Sequence, residues 1–112
     1  MDGDFASSTT WIQVGHLDDI PRLGTRTVTT AGDDIALFRL ADDRVLAVYD
    51  RCPHKAGKLS QGIVHGEFVT CPLHNWVINL TDGQALAPDE GCVRTVPVKF
   101  EGAAIFLGIT RP

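Results

Sequence analysis

Two pairs of metal-binding side chains are the residues of this sequence best suited to chemistry. Cys52-Pro53-His54 is followed, after sixteen residues, by Cys71-Pro72-Leu73-His74. Thiolate and imidazole groups bind zinc, copper and iron, and two matched pairs in proline-containing loops favour a metal site over a chance arrangement. The sequence therefore predicts that Cys52, His54, Cys71 and His74 bind one metal centre.

The division of the ligands between the two pairs indicates which metal is bound. Zinc knuckles typically contain a Cys-x-x-Cys pair, and this sequence has none. Each pair instead supplies one Cys and one His, which suits a binuclear iron centre with both thiolates on one iron and both imidazoles on the other. We therefore predict a 2Fe–2S cluster. A structural zinc module, which would be colourless and free of iron, is the alternative.

The composition is that of an ordinary globular domain without a surface for nucleic acid. The 112 residues are 44% hydrophobic and 21% charged, with a formal net charge of −4. This length predicts a single domain, and no basic cluster is present that could neutralise phosphates. No apolar run approaches the roughly 18 residues of a membrane span. Residues 1–8, expected to form a flexible tail, lack the pattern of a secretory signal. We expect a cytoplasmic protein that binds neither nucleic acid nor membrane.

The third cysteine has no predicted partner. If Cys52 and Cys71 bind metal, Cys92 remains alone, so a disulfide is not expected, as in a reducing compartment. A lone cysteine in such a domain is most often a small buried apolar side chain, and we assign Cys92 that role. We likewise expect Trp11, in the first predicted strand, to lie in the core.

Short β-strands separated by turn residues account for most of the chain. Asp82-Gly83 is a strong hairpin signal, and no stretch of ten residues keeps a helical period. Pro97 interrupts one predicted strand, which should therefore lie at a sheet edge or be bulged there. The pattern predicts an all-β barrel or sandwich. The strands are expected at residues 9–14, 26–30, 34–40, 44–49, 63–64, 67–70, 76–80, 84–87, 94–100 and 103–109.

The two ligand pairs, each closing a hairpin loop, resemble the Rieske family. Within that family, four runs of sequence look like the small subunit of assimilatory NAD(P)H nitrite reductases, and the resemblance covers roughly residues 11–109. The runs are Cys52-Pro53-His54-Lys55, Leu59-Ser60-Gln61-Gly62-Ile63-Val64-His65-Gly66, Cys71-Pro72-Leu73-His74-Asn75-Trp76-Val77-Ile78 and Asp89-Glu90-Gly91-Cys92-Val93-Arg94-Thr95. Asn75-Trp76 and Gly91-Cys92-Val93-Arg94 favour this branch, whereas Ala56 stands where a Gly-Gly turn is common in it.

The resemblance implies a fold and an arrangement of ligands. One Rieske domain would span residues 1–112, as an antiparallel β barrel or sandwich into which a cluster-binding subdomain, about residues 49–87, is inserted. Cys52 and Cys71 would hold the inner iron of a Rieske 2Fe–2S cluster, and His54 and His74 the outer iron near the surface. Mixed ligation leaves the oxidised site neutral, so its potential lies above the roughly −400 mV of plant-type clusters. High-potential members carry a Ser and a Tyr after the second pair, where this chain has Asn75–Ile78, so the low-potential type is predicted.

A one-electron carrier cannot by itself reduce nitrite to ammonium, which takes six electrons. The sequence has no glycine-rich dinucleotide fingerprint, and 112 residues leave no room for a flavin domain. The resemblance therefore implies the electron-transfer small subunit of an NAD(P)H-dependent nitrite reductase in nitrate assimilation, without catalytic residues of its own. Its partner would be the large catalytic subunit, which would carry FAD, a 4Fe–4S cluster and sirohaem.

Two other roles remain open. The chain could be a stand-alone Rieske ferredoxin that delivers electrons to an aromatic-ring dioxygenase, with the same cluster and fold. It could also be a regulatory subunit whose cluster serves stability only. Stable binding to a nitrite reductase would argue against the first, and ligand variants that spare electron transfer would indicate the second.

Overall fold

The computed structural model describes residues 9–30, 32–51, 58–71, 75–86 and 91–110. The strands in these ranges are β1 (Thr9–His16), β2 (Thr25–Thr30), β3 (Asp33–Arg39), β4 (Val45–Tyr49), β5 (Ile63–His65), β6 (Phe68–Thr70), β7 (Val77–Asn79), β8 (Thr95–Val96), β9 (Val98–Glu101) and β10 (Ala104–Thr110). Short 3-10 turns lie at Leu17–Asp19 and Leu59–Gln61. None of the described helical segments is long and apolar enough to cross a membrane.

The strands form three antiparallel sheets. Their orders are β1-β10-β9, β2-β3-β4-β8 and β5-β6-β7. The all-β fold predicted from the turn and strand pattern is thereby confirmed, and so is the antiparallel arrangement that the family resemblance implies. The predicted strand at residues 84–87 is shorter in the structure, where Gln84 and Ala85 form isolated bridges to Cys92 and Ile78. The sheet β5-β6-β7 lies within the predicted insertion at residues 49–87, whose end at Ala87 is outside the described residues, and the division into two subdomains stays a prediction.

The chain changes sheets at Pro97. β8, just before it, pairs with β4 at one edge of the four-stranded sheet, whereas β9, just after it, pairs with β10 at the edge of another sheet. Proline has no N–H for a strand ladder, so it suits a position between two edge strands. The Pro97 carbonyl accepts a hydrogen bond from Gly108 N at 2.9 Å. The predicted edge position of this strand is confirmed.

The four-stranded sheet is the middle layer because both of its faces are covered. Along β3, Ile35 and Leu37 belong to one buried cluster, and Ala36 and Phe38 belong to the other. This alternation follows from the two-residue period of a strand. The first cluster also contains residues of β10, and the second contains residues of β6 and β7. The second cluster also contains Cys71, so it is the core on which the predicted metal centre would rest.

Two apolar residues expected in the core lie at the surface. Trp11 is 40% exposed, because pairing of β1 with β10 directs its neighbour Ile12 to the core and Trp11 to the other face. Lys99 Nζ lies 4.6 Å from the centroid of the Trp11 ring. Cys92 is exposed, because the adjacent Val93 takes the inward position. Both expectations of burial were wrong.

Candidate metal centre

Cys71 is the one predicted ligand that the described ranges include, since Cys52, His54 and His74 lie outside the described residues. Cys71 directly follows β6 and is fully buried. Its N–H donates a hydrogen bond to the carbonyl of Trp76 at 2.7 Å. This bond joins the two ends of the segment that contains His74. The buried position fits the predicted role of Cys71 at the inner iron.

Hydrogen bonds also join the two ends of the segment that contains Cys52 and His54. Asp50 precedes this segment, and Ser60 follows it in the turn Leu59–Gln61. Ser60 donates a hydrogen bond from its N–H to Asp50 Oδ1 at 2.8 Å and another from its hydroxyl to Asp50 Oδ2 at 2.7 Å. These bonds hold the two ends of the first ligand segment together.

The bases of the two ligand segments share one core. Leu59, after the first segment, and Cys71, before the second, belong to the same buried cluster. Between them the chain passes so close to β6 that a Cβ atom at Gly62 would overlap the carbonyl oxygen of Thr70. A residue other than glycine at position 62 would therefore push this part of the chain away from β6. The arrangement fits a centre bound by both segments, and the assignment of the four ligands stays a prediction.

A second carboxylate ties the first ligand segment to β3. Asp34 accepts hydrogen bonds from the Thr29 hydroxyl at 2.7 Å and from Lys58 Nζ at 3.2 Å. The carbonyl of Asp34 accepts a hydrogen bond from Asp50 N at 2.9 Å. The hydrogen bond from Thr29, followed by the hydrogen bond and the charge of Lys58, lowers the pKa of Asp34 below the ordinary value of 3.8.

This lowered pKa predicts an acid-dependent loss of stability. A carboxylate whose pKa is lower in the folded than in the unfolded chain stabilises the fold above the unfolded pKa of 3.8 and loses that contribution as pH falls through the folded pKa. We expect the difference in unfolding free energy between the wild type and Asp34→Asn to be constant from pH 5 to 7 and to shrink below about pH 4. Denaturant unfolding at each pH measures it, and a difference independent of pH would contradict the prediction. In Thr29→Val, NMR titration should show the Asp34 pKa closer to 3.8.

A groove lies beside the base of the first ligand segment. Its volume is about 570 Å³. Charged residues of both signs line it, together with Cys92 and Val93 of the run that resembles nitrite reductase small subunits. The charged lining residues are Asp33, Asp34, Asp50, Arg51, Lys58 and Arg94.

Sequence reasoning missed Asp34, Asp50 and Ser60. Asp50 lies two positions before Cys52, and this closeness to a predicted ligand could have identified Asp50 as part of the site. Asp34 offered no such signal, because its contact with Asp50 depends on the pairing of β3 with β4.

The structure is that of a small all-β domain with a buried cysteine at the predicted metal centre, and comparison with known families identifies its class. The model of the Rieske [2Fe-2S] domain matches residues 10–97. The chain therefore belongs to the Rieske family. Its cofactor is a Rieske-type 2Fe–2S cluster, which supplies one-electron transfer when bound. The two Cys and two His of the ligand pairs match the donor set of this cluster.

The proteins similar to this chain include members of two functional classes that bear on its role. The chain is 34% identical to the ferredoxin component of the naphthalene 1,2-dioxygenase/salicylate 5-hydroxylase systems of Ralstonia sp., over 87% of this chain and 93% of the relative. A solved structure described as a candidate NADPH nitrite reductase small subunit is 32% identical, with a TM-score of 0.78 over 88% of this chain and 97% of that one. A candidate NADH-dependent nitrite reductase small subunit from Mycobacterium tuberculosis has a TM-score of 0.84 over 93% of this chain and 98% of that one, at 24% identity. That last likeness shows the fold alone.

Proposed function

We propose that this protein is the electron-transfer small subunit of an NAD(P)H-dependent nitrite reductase, which reduces nitrite to ammonium in nitrate assimilation. Its cluster would be held by Cys52 and Cys71 at the inner iron and by His54 and His74 at the outer iron. The chain would pass electrons or support catalysis, without catalytic residues of its own.

The observation that carries the proposal is the run Gly91-Cys92-Val93-Arg94. Overall identity does not separate the two classes, since it is 34% to a dioxygenase ferredoxin and 32% to a candidate nitrite reductase subunit. The run resembles the nitrite reductase branch and has a defined place beside the first ligand segment, where Cys92 and Arg94 line the groove. Nitrite reductase subunits and dioxygenase ferredoxins have different partners, so their sequences are expected to differ at the surface next to the cluster.

The contacts of this run tie it to the strand that leads to the first ligand pair. Val93 N donates a hydrogen bond to the Gly83 carbonyl at 2.7 Å, and a Cβ at Gly83 would overlap the Val93 carbonyl. Tyr49 N donates to the Arg94 carbonyl at 2.9 Å, and the Arg94 guanidinium lies 5.4 Å from the centroid of the Tyr49 ring. Tyr49 ends β4, three residues before Cys52. The run is thus a rigid part of the wall next to the proposed cluster site.

The proposed partner is the large catalytic subunit, carrying FAD, a 4Fe–4S cluster and sirohaem. Such a subunit would oxidise NAD(P)H and bind nitrite, and the small chain would associate with it in the cytoplasm. Neither nucleic acid nor a membrane has a role in the proposal.

A second function is favoured by a specific observation. Curated relatives at 32% and 34% identity, covering most of both chains, are ferredoxin components of naphthalene dioxygenase systems. The alternative is therefore a free Rieske ferredoxin that reduces an aromatic-ring dioxygenase.

Reconstitution with each candidate partner tests the proposal. The cluster-loaded chain is mixed with a nitrite reductase large subunit from the same genome, and NAD(P)H-dependent ammonium formation is measured with and without the chain. In parallel, the chain is tested as electron donor to a terminal ring-hydroxylating oxygenase. We expect a stable complex and increased turnover with the reductase. Failure to bind the reductase, together with efficient reduction of the oxygenase, would favour the ferredoxin role.

We place the docking and electron-exit face at the edge near His54 and His74, which the ligand assignment predicts to be exposed. Lys58 is half exposed at the base of the first ligand segment and pairs with Asp34 at 3.2 Å, and Lys55 lies outside the described residues. Changing both lysines to glutamate should slow association with the reductase roughly tenfold at low salt and weaken its salt dependence, because charges at the rim of an interface steer encounter.

Stopped-flow association at several salt concentrations measures this effect. Lys99→Glu is the control, since Lys99 lies on β9 in a different sheet. If the double variant kept both the wild-type rate and the wild-type salt slope, this face would not be the docking surface.

A further inference from the structure

Asp50 is the one charged residue among the described residues that is buried, with 8% of its surface exposed. A carboxylate is costly to bury unless hydrogen bonds replace its water. Here both oxygens accept bonds from Ser60, at 2.8 Å from the N–H and 2.7 Å from the hydroxyl. The Asp50 N–H is also used, in the bond to the Asp34 carbonyl. Such complete pairing indicates a fixed position for this charge.

The chain itself limits the distance between Asp50 and the first ligand pair. Only Arg51 lies between Asp50 and Cys52, so the Cα atoms of Asp50 and Cys52 are at most about 7 Å apart. Ser60 holds the opposite end of the same segment. The hydrogen bonds between the Asp50 carboxylate and Ser60 therefore link the two ends of the segment that carries Cys52 and His54.

We propose that Asp50 is a positioning residue for the cluster, which clamps the first ligand segment through Ser60 and keeps the reduction potential low with its buried charge. The inference rests on the proposed ligand set and not on the identity of the partner. Groups that orient metal ligands commonly change metal retention by about 10–100-fold when removed. A nearby negative charge also disfavours the reduced cluster, which carries one more electron, and this repulsion is strong where water is excluded.

Two substitutions distinguish the effect of the Asp50 charge from the effect of its hydrogen bonds to Ser60. Asp50→Asn removes the charge but keeps an oxygen that can accept the bond from Ser60 N. Ser60→Ala keeps the charge and the backbone bond but removes the hydroxyl bond. We expect the midpoint potential of Asp50→Asn to shift upward while its reduced EPR spectrum keeps the wild-type line shape. We expect Ser60→Ala to keep its potential and to release iron to a chelator about 10–100-fold faster.

Asp42→Asn is the matched control for charge. Asp42 lies in the turn at the opposite end of the β3–β4 hairpin, is exposed, and pairs with Arg44 at 2.9 Å. Its variant removes the same formal charge and should leave both the potential and iron release unchanged. Equal upward shifts in Asp42→Asn and Asp50→Asn would overturn the role of the buried charge, and so would an unchanged potential in Asp50→Asn.

Separate measurements test whether the hydrogen bonds between Asp50 and Ser60 hold the first ligand segment in place. Hydrogen exchange of the cluster-loaded protein should show weaker protection around residues 58–62 in Ser60→Ala than in the wild type. Wild-type iron release and wild-type protection in Ser60→Ala would overturn the clamp, and this variant decides the matter even if Asp50→Asn does not fold. If the wild type itself bound no iron, the ligand set would be wrong. A normal wild-type spectrum with unaltered variants would instead refute the role of Asp50.

Discussion

Replacement of Cys71 by serine is expected to abolish the visible absorbance of the purified protein. Cys71 is fully buried at the end of β6, where its thiolate is predicted to bind the inner iron, and a serine hydroxyl is a poor substitute for a thiolate ligand. Cys52→Ser, His54→Ala and His74→Ala should give the same result, because each removes one ligand of the proposed set. Since metal binding is coupled to folding, the two ligand segments should also become less stable.

Cys92→Ser is the matched control for this experiment. The protein has three cysteines, and Cys92 is exposed, so its serine variant should keep full absorbance and iron content. An EPR spectrum of the dithionite-reduced wild type identifies mixed His/Cys ligation independently. Wild-type absorbance in any of the four ligand variants would refute the assignment of that residue, and zinc without iron in the wild type would indicate the structural zinc module.

Phe38→Ala is expected to destabilise the protein by about 3–5 kcal/mol, as for other fully buried phenylalanines. Phe38 has no exposed surface and lies in the same buried cluster as Leu59 and Cys71. Removing its ring leaves a cavity in the core that contains both Leu59 and Cys71. Because domains of this size are usually stable by about 5–15 kcal/mol, we also expect faster loss of iron. Chemical denaturation and chelator-induced iron release measure the two effects.

The same substitution on the surface provides the control. Phe100 lies on β9 and is 38% exposed, so Phe100→Ala should cost about 1 kcal/mol or less and leave iron release unchanged. Equal effects of the two variants on iron release would mean that the core around Phe38 does not support the metal centre.

The local properties of the chain are readable from its sequence. A strand has a two-residue period and a turn needs particular residues, so residues 34–40 and 44–49 are recognisable as strands, which the structure has as β3 and β4. Pro97 cannot donate a ladder hydrogen bond, and this property predicts an edge position for its strand, which the structure divides into β8 and β9. The ligand chemistry is equally local, since thiolate and imidazole in two matched pairs define the donor set wherever the fold places them.

Which face of each strand is covered was decided only by the tertiary structure. Trp11 and Cys92 have the apolar character of core residues, yet they are exposed because their neighbours Ile12 and Val93 take the inward positions. A period of two identifies two faces of a strand without saying which one another sheet will cover. The clamp of Asp50 by Ser60 and its link to Asp34 likewise join residues 10 and 16 positions away from Asp50. Such contacts arise only when β3 pairs with β4 and the turn at Leu59 packs beneath them, because hydrogen bonds between distant residues depend on how the sheets assemble.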